Sequence, residues 1–169
     1  KGLFTTLAKL TYVLAQEQGV KFVFGFPNDN SYHGFTKKLE WIHRENMQNY
    51  TLRVSTLPLA AAAKKLPALA PLYSLYSSFV LGLHKSKEQV QPNSVMGYKW
   101  GGIHRSSDYT KYKSFNHNYI VDLGVRTAWV KTDGALLVGD ISQPEKKDVP
   151  DVLNRLKRLA FWLGCNKVL

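Results

Sequence analysis

Acidic residues, cysteine and uniform apolar runs are what this chain has little of. Cys165 is the only cysteine, so no internal disulfide and no cysteine-rich zinc site can form, and a lone thiol suits a reducing, cytoplasmic compartment. The five histidines show no His-Glu-x-x-His run and no other paired spacing, which leaves a metal site without support. Acid is scarce: 12 Asp and Glu stand against 23 Lys and Arg, a net charge of +11. A field of that sign attracts anions such as nucleic acid, acidic lipid or a phosphate-bearing cofactor. It also suits a merely solvated basic surface. No block of five like charges occurs, so charge alone selects no partner. The apolar run in residues 1–15 is interrupted by Thr5, Thr6, Lys9 and Thr11 at helical spacing, which is not the uniform core of a signal peptide. The chain opens on Lys1, and the reading expects earlier residues of the same domain.

What is present is enough for a folded α/β protein. Over 169 residues, 44% are apolar and 12% aromatic, which fits one domain or two half-sized units with a real core. Leu3, Leu7, Leu10 and Leu14 predict an amphipathic helix, with Gly19 as the glycine beyond its end. Residues 21–26 read as a buried strand and 27–30 as a turn. A short helix over 31–39 follows, capped by Asn30 or Ser31. Trp41–Ile42 and residues 50–54 look like short strands.

Residues 57–83 are rich in Ala and Leu, and from 66 to 83 no side chain is charged. That reaches the minimum length of a membrane span, but Pro67, Pro71 and three serines lie within it. A packed helical connector is the favoured reading; an amphipathic segment on a membrane surface is the alternative. Residues 86–117 interleave Tyr98, Trp100, Tyr109, Tyr112 and Phe115 with Lys99, Arg105, Lys111 and Lys113. Such a pattern can stack on nucleic-acid bases, or it can pack one domain on another. No nucleic-acid motif accompanies it, so nucleic acid is not an expected partner.

Strands are predicted at 118–123, 126–132 and 135–141, with Asp133-Gly134 as a hairpin signal. Then comes a helix capped by Asp148, with Pro150 in its first turn and Val152, Leu156, Leu159 and Leu163 as its apolar stripe. Gly164 ends it and residues 165–169 begin another strand. Segments 10–24 and 156–169 share a helix–glycine–strand order, a weak internal repeat.

The chemistry-bearing feature is the opening Lys1-Gly2-Leu3-Phe4, which leads straight into a helix. Glycine lets the backbone approach a phosphate, and the helix start adds partial positive charge. The longer run of residues 1–43 resembles the second half of the GNAT N-acetyltransferase core. In that family a Gln/Arg-x-x-Gly-x-Gly/Ala loop opens a helix, followed by a strand, an Asn-bearing turn and a short helix ending in Lys-x-Gly-Phe. Gly2 matches the first glycine, and Phe4 falls where the second small residue would be. Asn28 or Asn30 matches the turn asparagine. Lys38-Leu39-Glu40-Trp41 matches the ending, with Glu40 in place of glycine and Trp41 in place of phenylalanine.

The resemblance implies a GNAT-like mixed sheet flanked by helices, made of two incomplete halves joined by a helical connector. Residues 1–54 would be the second half of an acyl-CoA-binding core, 55–93 the connector and 94–169 a second, incomplete GNAT-like unit. It implies acetyl-CoA or another acyl-CoA as cosubstrate and a small-molecule or sugar-precursor amine as acceptor, joined in direct attack. The diphosphate would rest on the amides of Gly2, Leu3 and Phe4 and of the loop expected before them, with Thr5, Asn28, Asn30 and Phe35 as further cofactor-binding residues. The family's usual thiolate donor, a tyrosine on the short helix, falls at Phe35 or Thr36 here; Tyr32, one turn earlier, is the candidate substitute, with a packing role and its hydroxyl in water as the favoured alternative. His33 and His43 are possible bases with a surface role as the alternative, and Asp29 and Glu40 read as capping or solvated. The loop 143–147 before the later helix has no glycine, so the second unit is expected to be degenerate in cofactor binding. The alternatives are a non-catalytic GNAT scaffold and a basic peripheral protein.

Overall fold

The computed structural model describes residues 2–88, 90, 92–95, 102–113, 115, 117–143 and 145–169. The chain is an α/β protein with six α-helices and a five-stranded mixed open sheet among the described residues. It divides once, into unit 1 (Lys1–Gln48) and unit 2 (Asn49–Leu169). None of the helices in the described residues is long and apolar enough to cross a membrane.

Unit 1 begins with α1 (Leu3–Glu17). The helix stops at Gly19, whose φ of +77° costs no Cβ clash, and two bonds close the end: Gly19 N–H to the Gln16 carbonyl at 3.0 Å and Val20 N–H to that of Ala15 at 2.9 Å. Residues 21–26 do not form the strand expected of them. The rings of Phe22, Phe24 and Phe26 follow one another at 6.1 and 6.3 Å, the second pair edge-on, but no neighbouring strand lies among the described residues of this unit and the three rings are exposed. A lone strand without a partner leaves its amides to water and gains no ladder.

The short helix α2 (Asp29–His33) starts two residues earlier than the sequence suggests. Asn28, not Asn30 or Ser31, is the cap: its Oδ1 accepts the Ser31 amide at 3.0 Å, and Ser31 Oγ accepts the Asn28 amide at 3.1 Å. The chain widens into a π-turn over Gly34–Lys38 and closes with Trp41 N–H on the Phe35 carbonyl at 3.0 Å. Trp41–Ile42 forms no strand.

Unit 2 carries the buried core. Its sheet runs β1 (Leu52–Arg53), β5 (Lys167–Val168), β4 (Leu136–Ile141), β3 (Thr127–Thr132), β2 (Tyr119–Asp122) in spatial order. The β2–β3, β3–β4 and β1–β5 pairs are antiparallel and β4–β5 is parallel. Asp133-Gly134 makes the expected turn between β3 and β4, with Gly134 at φ +69°. Residues 84–86 extend the far edge: Asp122 N–H donates to the His84 carbonyl and Ser86 N–H to that of Ile120.

Four helices complete the unit: α3 (Leu59–Lys65), α4 (Ala70–Leu83), α5 (Ser107–Lys113) and α6 (Val149–Trp162). Pro67 ends α3 by forcing Leu66 into extended backbone, and Pro71 sits in the first turn of α4, where its missing N–H costs nothing. Helix α6 buries the predicted stripe of Val152, Leu156, Leu159 and Leu163. These pack with Ala60, Val80, Leu81, Ala128, Val130 and Leu136 in one cluster. Each such leucine contributes roughly 1.5–3 kcal/mol of transfer free energy. The segment 57–83 therefore packs in part: α4 buries Ser77, Val80 and Leu81 and leaves its other side in solvent.

Gly164, at φ +61°, turns the chain from α6 toward β5 while its carbonyl accepts the Ala60 amide at 3.1 Å. Beside it the Tyr73 hydroxyl donates to the Leu163 carbonyl at 3.0 Å. Burial raises the Tyr73 hydroxyl well above its ordinary value and pushes the Cys165 thiol up as well, so both stay protonated and act as packing groups.

Candidate functional site

The opening of α1 is uncapped. Gly2 sits at the cap position with φ +122°, makes no side-chain cap bond, and has nothing within 4 Å of where a Cβ would stand. Thr6 N–H is the amide that closes the first helical bond, onto the Gly2 carbonyl at 2.9 Å. The amides of Leu3, Phe4 and Thr5 precede it and have no intrahelical acceptor. No acidic residue lies in the first turn.

An aromatic cluster holds this opening against α2 and the π-turn. The Phe4 ring meets Phe35 edge-on at 5.1 Å and lies so close to Gly34 that a Cβ there would stand 2.8 Å from the ring. Phe35 in turn packs on Trp41 at 4.4 Å, whose indole N–H donates to the Tyr12 hydroxyl at 2.7 Å. Gly25 passes the outer edge of Trp41, 3.4 Å from where its Cβ would be. Thus Phe4, which replaces a small residue in the resemblance, is accommodated by a glycine across from it. Nothing in the spacing of Phe4 and Gly34 along the chain signals this contact.

The other candidates are spread along α2. Asn28 spends its side-chain oxygen on its own cap, while Asn30 lies within the helix and is exposed. Tyr32 is exposed and its ring meets His43 edge-on at 5.6 Å. His33, also exposed, ends the helix. Glu40 adopts φ +57°, the left-handed region that a side chain normally avoids. A cleft of about 420 Å³, lined by Tyr12, Gln16, Gly19 and Phe22 among others, lies toward the other end of α1. Ten residues separate Gly2 from Tyr12, roughly 15 Å along a helix, so this cleft and the helix opening are different places.

The opening of α6 is the opposite case. Asp148 holds the position before the helix, but its carboxylate does not cap it. It accepts Arg126 Nε at 2.9 Å and a terminal guanidinium nitrogen at 2.6 Å, and the Glu145 amide at 3.3 Å. The Arg126 hydrogen bonds hold the Asp148 carboxyl below the usual carboxylate range. Glu145 also pairs with Lys147 at 2.9 Å, and Asp151 adds a further acid in the first turn. This helix start is filled with the protein's own anions. Of the basic–aromatic segment, Tyr98 and Trp100 lie outside the described residues. Arg105 is turned inward: its guanidinium lies 5.6 Å from the Trp129 ring and pairs with Asp140 at 2.6 Å. No group of three or more metal-ligating side chains occurs among the described residues.

Comparison of the chain with known protein families, with characterised proteins and with solved structures finds no match.

Proposed function

We propose that the chain carries the second half of an acyl-CoA-binding core of GNAT type and takes part in N-acyl transfer. The acyl group, acetyl in the first instance, would pass from coenzyme A to the amine of a small molecule or sugar precursor. The observation that carries this reading is the backbone at Glu40. The resemblance aligns a glycine there, and Glu40 holds φ +57°, the conformation for which glycine is ordinarily used. A glutamate keeping a glycine's backbone is what an altered copy of that motif leaves behind.

The opening of α1 supports the same reading. Three unpartnered amides, a glycine with open space before it and no acid in the first turn suit a diphosphate. In the transfer itself the amine nitrogen would attack the thioester carbonyl carbon and the carbon–sulfur bond would break. The departing thiolate would take a proton from the Tyr32 hydroxyl, and His43 beside it is the candidate to receive the amine's proton. No covalent enzyme intermediate is required. A non-catalytic scaffold that binds coenzyme A is the second reading. It is favoured by residues 21–26, which form no strand where the resemblance expects one.

Thermal denaturation with and without acetyl-CoA tests the binding. Ligand at about 100 times its Kd should add roughly 2.7 kcal/mol of stability. Thr5→Glu places a carboxylate in the first turn and should abolish that shift while leaving the unliganded melting temperature unchanged or raised, because an acid there stabilises a helix by about 0.3–1 kcal/mol. No response to acetyl-CoA would remove both readings. Release of free thiol across a panel of amines, lost in Tyr32→Phe, separates the enzyme from the scaffold.

A further inference from the structure

Helix α4 presents an apolar stripe that none of the described residues of its unit covers. It meets the core through Tyr73, Ser77, Val80 and Leu81. Along another side Leu72, Leu75, Phe79 and Leu83 recur at helical spacing and are 69%, 73%, 65% and 70% exposed. The Tyr76 hydroxyl donates to the Trp162 carbonyl, so the end of α6, which carries the exposed Phe161 and Trp162, lies alongside α4. Scattered surface leucines need no explanation, but a continuous stripe of this kind marks an interaction surface.

Charge indicates what covers it. Between Glu45 and Glu88 the charged residues are Arg53, Lys64, Lys65, Lys85 and Lys87, with no acid among them. Lysines thus bracket α4 at both ends. A second copy of the chain docking helix to helix would bring lysine against lysine in either orientation, with no carboxylate in the segment to offset the repulsion. The occupant must be apolar where it meets the stripe and negative at the rim. Fourteen residues give a helix about 21 Å long, too short to span a bilayer but suited to lie in its interface. Tyr76 and Trp162 are the residue types that favour the headgroup level.

We propose that α4 docks on an anionic membrane surface, with Leu72, Leu75, Phe79 and Leu83 in the acyl boundary and Lys64, Lys65, Lys85 and Lys87 toward lipid phosphates. The contact is peripheral and independent of acyl transfer. Of the four lysines, Lys64 also pairs with Asp133 at 2.8 Å in a solvent-exposed bridge, which leaves Lys65, Lys85 and Lys87 as the principal lipid contacts.

The test is co-sedimentation of the whole chain with vesicles of phosphatidylcholine alone and with about one-third phosphatidylglycerol, at low and high salt. Binding should require the anionic lipid and weaken with salt. Leu75→Ser with Phe79→Ser should reduce partitioning by roughly tenfold or more, since two large apolar groups no longer enter the boundary. Both side chains are exposed, so the variant's circular dichroism and melting temperature should match the parent. Lys65→Glu with Lys87→Glu should sharply reduce the salt-sensitive part without touching the stripe. Equal binding to both vesicles, no binding, or binding untouched by either variant overturns the proposal. Sedimentation that reveals a dimer lost in the Ser variant, or retention on an acidic polypeptide without vesicle binding, also overturns it and assigns the stripe to a protein partner.

Discussion

Replacing Gly164 by alanine should be among the most damaging single-methyl additions available in unit 2. Two effects add. With φ at +61°, an L-residue there costs about 1–2 kcal/mol of backbone strain. The new Cβ would also stand 2.6 Å from Leu59 Cβ, 2.8 Å from its Cγ and 2.9 Å from its Cδ1. The nearest of these is fixed to the backbone of α3, and α3 is held to this point by the Ala60 amide on the Gly164 carbonyl. The helix must shift, at about 1–3 kcal/mol for overpacking, so the total loss is roughly 2–5 kcal/mol. Gly134→Ala is the control. Its φ of +69° carries the same strain, but the atom its Cβ meets at 2.9 Å is Lys64 Cδ, on the stem of an exposed lysine that can swing away. Urea denaturation followed by circular dichroism gives both losses from the midpoint at constant slope. Leu59→Ala in the Gly164→Ala background should recover only part of the loss, because Leu59 Cβ remains. If Gly164→Ala costs no more than Gly134→Ala, the packing of α6 onto α3 described above is wrong.

Glu40→Gly should stabilise unit 1 by up to about 1 kcal/mol, since relief of the left-handed backbone outweighs the added freedom of glycine in the unfolded chain; thermal melting of the variant reads this, and a loss would refute the strain. Arg105→Leu should cost roughly 3–5 kcal/mol because it strands Asp140, whose side chain is only 11% exposed, and adding Asp140→Leu should restore most of that in a double-mutant cycle. Asp148 is held below its ordinary carboxylate value, so its contribution is complete above that value, about pH 4, and is lost as acid is added below it. Asp148→Asn should therefore be less stable than the parent at neutral pH, with the gap closing in acid; a constant gap in melting temperature from neutral to strongly acid conditions would refute the Arg126 pairing.

Unit 2 was the more legible half of the sequence. The β3–β4 hairpin announces itself through Asp133-Gly134, and α6 through a stripe of four apolar residues bounded by Pro150 and Gly164; both signals are local, and tertiary packing merely agrees with them. Asp148 reads as a helix cap and proves to be an ion-pair partner, because the two look alike until Arg126, just before β3, is brought beside it. The pairing of Leu52 with Val168, or of Arg105 with Asp140, joins residues far apart in the chain and leaves no periodic trace. Residues 21–26 have the composition and spacing of a strand, but a ladder needs a second backbone, which composition does not reveal. At the proposed cofactor site the sequence suggested Gly2, Phe4 and Phe35 separately. Their convergence through Gly34 and Trp41, and the conformation of Glu40, are three-dimensional facts.

The pairing of β1 with β5 sets the first and last strands of unit 2 side by side, Leu52 opposite Val168 in antiparallel register. Tension applied through Asn49 and Leu169 would therefore peel this two-residue ladder one bond at a time instead of shearing it, so unit 2 should yield to small pulling forces. The same adjacency would let a short linker join residue 169 back to residue 49 and new ends be cut at the 133–134 turn with the sheet order intact.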